Sequence, residues 1–156
     1  MPMVASAVYR LALALWVGGM SVFSFLVTPV IFGTQPQESA GKIVGAIFPV
    51  YFRFCLGTAV VALVARAAAG MAFSGARQLA GTALIVFSLT ILAYHTYGLA
   101  PRIAAVRETI HSRDAISEED PVRREFSRLH GLSMTLNLVV IVAGATLVIG
   151  YETFRK

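Results

Sequence analysis

The residues of this chain able to do chemistry away from water gather around a few positions. In "RREFSRLHGLSMTLNLVV", His130, Ser133, Met134 and Asn137 are spaced i, i+3, i+4 and i+7, so a helix brings them to one stripe. His95 stands near Tyr94 and Tyr97; Tyr51, Arg53 and Cys55 share "YFRFC"; Arg102 follows Pro101. Three chemistries fit such a set. Imidazoles are common metal ligands, and histidines on facing helices hold haem in many bundles. His95 and His130 with Met134 and Cys55 are therefore a candidate metal set, for haem or for a soft ion such as copper(I). Arg53 and Arg102 with Tyr51, Ser133 and Asn137 are a candidate site for an anion or amphiphile. The third use is structural, with polar side chains bonding helix to helix.

The elements that position these residues follow from composition. The chain is 57% hydrophobic and 13% charged, about half the charged share of an ordinary soluble domain. Stretches 11–37, 78–101 and 129–151 carry no Lys, Arg, Asp or Glu, and 43–65 carries only Arg53. About 20 apolar residues cross a bilayer as a helix. Four spans are expected, at 6–32, 47–69, 78–100 and 130–151, within one transmembrane domain over 1–156. The first run is too long for a signal peptide and lacks a clean cleavage site, so it reads as a retained span. The fold class is all-α: an antiparallel four-helix membrane bundle. Short interfacial amphipathic helices are expected at "PQESAGKIVGAIF", before Pro49 redirects the chain, and at "RIAAVRETIHSR", after Pro101. Pro29 is expected to kink or end span one, and Asp120-Pro121 to cap and start the last helix.

This topology puts the termini and the 70–77 linker on one face, side A. The ends of spans one and three meet the starts of spans two and four on side B. Side B holds eight Lys and Arg against five on side A, which favours side B as cytoplasmic, although seven of the eight acids are also there. His95, His130, Tyr51, Arg53, Cys55, Thr28 and Arg102 all fall in the side-B half, and ionisable groups within a membrane face the interior or a cavity. A polar pocket opening toward side B follows. The ordinary readings stand beside it. Met134 and Met20 fill a core, Cys55 is a small buried hydrophobe, and Arg53 snorkels to the surface. Asn137 bonds across helices, and His111 is solvated. Gly18, Ser21 and Thr28 form a small-residue face for close helix approach, and Trp16 packs in the bundle.

The net charge is +5. With no aromatic-interleaved basic motif or zinc-finger spacing, the basic residues flank spans and meet lipid headgroups, and nucleic acid is not an expected partner. Lipid is the expected partner, self-association is compatible with the sequence, and the expected location is a bacterial inner membrane. The lone Cys55 forms no intrachain disulfide. No Ser-His-Asp set, P-loop, GxGxxG or HExxH appears, so the reading leans away from an enzyme.

"LALALWVGGMSVFSFLVTPVIF", "ESAGKIVGAIFPVYFRF" and "LHGLSMTLN", in that order and spacing, resemble the transmembrane protein 205-like family (domain of unknown function 4149). The resemblance places Gly18, Gly19, Pro29, Pro49, Tyr51, His130 and Asn137 in the family pattern. It implies a small four-span membrane protein without a settled activity. The family's eukaryotic member is associated with platinum-drug resistance, which leans toward soft-metal handling. "WVGG" is also similar to four-span modules of copper-resistance and haem-pathway proteins. Those carry a histidine shortly before the Trp, where this chain has "RLALALW" and none.

Overall fold

Lipid offers no partner for backbone N–H and C=O groups, so a chain this apolar must satisfy them within helices. The computed structural model describes residues 2–111 and 120–153, with the side chains of 111 and 151–153 excepted. His111 as a side chain, and most of the solvated "DAISEEDP" break, therefore lie outside the described residues. Among the described residues, four helices are long and apolar enough to cross a membrane: Pro2–Thr34, Gln37–Ala68, Ala76–Ile110 and Pro121–Gly150. The protein is a multi-pass membrane bundle. The first span packs on the second and fourth, and the third packs on the same two. Spans therefore circulate in chain order, and the diagonal pairs, first with third and second with fourth, are held apart.

Packing follows the bilayer. Tyr9, Trp16, Met20, Ile85, Leu92, Val140 and Leu147 are buried, whereas Phe25, Val64, Phe87 and Ile149 are exposed on the outer surface, where acyl chains replace water. Trp16 is enclosed as expected, its Nε1–H donating to Met20 Sδ at 3.1 Å. Close approach uses other glycines than the one expected. A Cβ on Gly144 would sit 2.6 Å from Val17 Cγ2, and one on Gly19 would sit 3.1 Å from Phe54, while Gly18 meets nothing.

The prolines do not break the helices. Pro29 lies inside the first helical stretch, Pro49 inside the continuous helix Gln37–Ala68, and Pro101 inside the third. The two segments expected as separate interfacial helices are continuous with spans two and three on side B, where the extension of span three packs on the fourth helix and touches that of span two. A membrane-type helix tolerates an internal proline because local adjustments re-satisfy the freed carbonyl. The true interruptions are π-helical turns at Phe23–Val27 and His95–Leu99, each closed by an i→i+5 bond, from Thr28 N–H to Phe23 O and from Ala100 N–H to His95 O.

The ends are capped by local chemistry. Asp120 Oδ1 accepts from the Val122 N–H at 2.8 Å, so the Asp-Pro start is as expected. The second helix ends in a Schellman turn, with Gly70 N–H on Ala67 O at 3.0 Å and Met71 N–H on Arg66 O at 3.1 Å. Gly70 takes φ +73° there, the left-handed region that favours glycine.

Candidate functional site: a polar layer in the side-B half

The stripe on the fourth helix does enter the bundle. Ser133 is buried, Asn137 and His130 are half-buried, and each meets a different neighbour. Asn137 Nδ2–H donates to Ser24 Oγ on the first span at 2.9 Å. Its Oδ1 accepts from the Tyr51 hydroxyl on the second span at 3.0 Å. The second and fourth spans share no backbone contact, so this bond runs across the diagonal of the bundle. Three spans are joined by one carboxamide, which has a donor and an acceptor to offer. Tyr51 is held in place by Phe23, stacked at 4.5 Å, and by Phe52, edge-on at 4.7 Å.

One turn along the fourth helix, Ser133 Oγ lies 2.7 Å from Nε2 of His95, which is only 2% exposed. The imidazole stacks on Phe52, with centroids 3.6 Å apart and planes at 23°. His95 opens one π-helical turn and Ser24 sits in the other. Such turns re-aim side chains and occur often at functional positions. The outcome is a buried imidazole fixed by a ring on one face and a hydroxyl at Nε2. Its Nδ1 is buried with no hydrogen-bond partner. If Nε2 carries the proton, Nδ1 is a lone pair awaiting a donor; in the other tautomer it is an N–H awaiting an acceptor.

The structure brings His95, Ser133, Tyr51 and Asn137 together, and adds Ser24, Phe52 and Phe23. Cys55 is fully buried one turn from Tyr51. The other expected members separate from this group. Arg53 and Arg102 are exposed on the outer surface, and Met134 is 61% exposed. At the i+4 edge of the stripe, Met134 turns toward lipid, the medium its thioether suits. His130 lies one helical turn nearer side B, stacked parallel to Phe126 at 5.8 Å, with its own Nδ1 buried and unpartnered. Among the described residues no three His, Cys, Asp or Glu side chains assemble as a metal set.

Sequence reasoning missed two arginines. Arg66, counted among the side-A cations that meet headgroups, is 3% exposed inside the bundle. Its guanidinium donates to Tyr9 Oη at 3.1 Å, Thr82 Oγ1 at 3.0 Å, Gln78 O at 2.9 Å and Gln78 Oε1 at 2.7 Å. The charge sits in the last turn of its helix, where free carbonyls carry partial negative charge. Space comes from Gly81, where a Cβ would lie 2.7 Å from Nη2. The signal was local: small residues, Ala62, Ala65, Ala72 and Gly81, surround the level of Arg66 and leave room that a leucine-rich stretch would have filled. The second is Arg107, whose guanidinium fills the space beside Gly45.

Comparison with known proteins adds no activity. An "Uncharacterized protein" of Aquifex aeolicus (strain VF5) is 26% identical over 136 residues, covering 85% of this chain and 88% of its own. No solved structure matches. The family described as "Domain of unknown function (DUF4149)" matches residues 11–112, a region that holds Ser24, Tyr51 and His95 and stops before Ser133 and Asn137. Matched through its first three spans, the chain belongs to the DUF4149 family.

Proposed function

We propose that this membrane protein binds, or moves, a small ligand at the His95 layer, in a bacterial inner membrane. The unpartnered Nδ1 of His95 carries the reading. A buried nitrogen left without a bond costs on the order of 1–3 kcal/mol, while every other part of that imidazole is fixed by Phe52 and Ser133. A small molecule offering a hydrogen bond at that point recovers the cost. The donor set favours such a ligand over the soft metal or haem that the residue types first suggest, because Met134 lies on the outer surface. The test is native mass spectrometry of the protein released gently from its own membrane, compared with His95→Phe. The phenyl ring keeps the stacking and removes the nitrogens. A bound mass present in wild type and lost in His95→Phe is the expected result; equal spectra refute it. Stoichiometric copper or iron in wild type, lost in His95→Phe, would return the metal reading.

A second reading has its own observation. Ser24, Asn137 and Tyr51 satisfy one another, so that half of the layer acts as an interhelical tie and supports a packing or partner-binding subunit. The same spectra decide, since this reading expects no bound molecule.

A further inference from the structure

On side B, the extension of span three packs on the fourth helix and touches the extension of span two. Arg107 lies at that junction. It is half-buried, and among the described residues it makes no hydrogen bond or ion pair. Its guanidinium fills the space where Gly45 lacks a side chain and lies over the ring of Phe126, 5.8 Å from the centroid. Phe126 in turn stacks parallel to His130. His130 offers a buried Nδ1 that no protein atom satisfies. A cation and an imidazole are thus seated on one aromatic ring, the imidazole Nδ1 without a protein partner. Arg66, the other inward arginine, uses four bonds to neutral oxygens, so unpaired seating is not the general habit of this fold.

We propose that Arg107 and His130, over Phe126 and against Gly45, form a binding site for a phosphate-type oxyanion at the side-B membrane surface. The planar guanidinium can present paired N–H groups to two oxygens, and the imidazole can donate to a third. The level fits. The charge-free run of the fourth helix starts at Leu129, so His130 stands where hydrocarbon gives way to headgroups. The same chemistry serves a phospholipid headgroup or a free phosphate. Arg53 and Arg102, the cations first expected in this role, are exposed and unseated. The site shares no residue with the His95 layer and does not rest on that reading.

The test uses the full chain in mild detergent, with two probes. Inorganic phosphate is titrated and followed by phosphorus NMR linewidth. Separately, the protein is reconstituted in phosphatidylcholine with or without phosphatidylglycerol, and retained lipid is counted by native mass spectrometry. Wild type is expected to bind at least one probe, and Arg107→Gln to weaken that binding at least fivefold. Gly45→Val, which displaces the guanidinium, and His130→Gln are expected to weaken it as well. Binding of inorganic phosphate identifies a soluble oxyanion; retention of phosphatidylglycerol alone identifies a headgroup. If wild type binds neither, or if Arg107→Gln and His130→Gln bind as well as wild type, the proposal is overturned. Circular dichroism on each variant separates loss of the site from loss of fold, and His130→Gln carries the test should Arg107→Gln fail to fold.

Discussion

The carboxamide of Asn137 can be removed with the side-chain branching kept, by Asn137→Leu. Two bonds between spans are lost, to Tyr51 and to Ser24. Interhelical hydrogen bonds in membrane proteins average about 0.6 kcal/mol, with a maximum near 1.7. Two of them set the loss at about 1–3 kcal/mol, toward the upper end because two hydroxyls are left stranded among apolar neighbours. Tyr51→Phe removes one bond and keeps the stacking on Phe23, so about 0.6–1.7 kcal/mol is expected. The double variant must cost less than the two singles together, by at least about 0.5 kcal/mol, because removing both partners leaves no stranded group between them. Trp16 is the single tryptophan and is fully buried, so its emission reports unfolding as a denaturing detergent is titrated into mixed micelles. Strict additivity of the two variants would show that the diagonal bond contributes nothing and would refute the reasoning.

Other variants test the remaining geometry in the same assay. Gly81→Ala drives a methyl group toward Arg66 Nη2 and should destabilise by about 1–3 kcal/mol, while adding Arg66→Met should shrink that penalty. Gly70→Ala forces a side chain into the left-handed turn and should lower stability by about 1–2 kcal/mol. Asp120→Ala removes the cap on Val122 and should lower stability by about 0.5–2 kcal/mol, with faster hydrogen exchange confined to the first turn of the fourth helix.

Span count and the Asp120 cap were legible because they rest on long apolar runs and on a side chain bonding two residues away. The inward stripe of Ser133 and Asn137 was legible from helical spacing. The prolines were not. At Pro49 a proline looks like a break, yet it costs a membrane helix only a local adjustment, and one-dimensional spacing cannot reveal that. Arg53 and Arg66 show the other gap. Each lies in a mostly apolar segment, but azimuth decides: Arg53 faces out, while Arg66 meets Thr82 and Gly81 of the next helix. Partners that far along the chain are chosen by the pairing of helices. Arg107 was hidden for the same reason, since its seat is a glycine more than sixty residues upstream.

The turns that carry Ser24 and His95 hold one residue beyond what a regular helix would need. Excising a single residue from 23–27 or 95–99 would let the helix heal, with the portion beyond swung by about 100° and drawn back about 1.5 Å. In the first span only the short piece to Thr34 would be displaced, and Trp16 would stay seated. Chain length, changed by one, is therefore a dial on how the helix ends beyond Ser24 and His95 are aimed relative to these two polar groups.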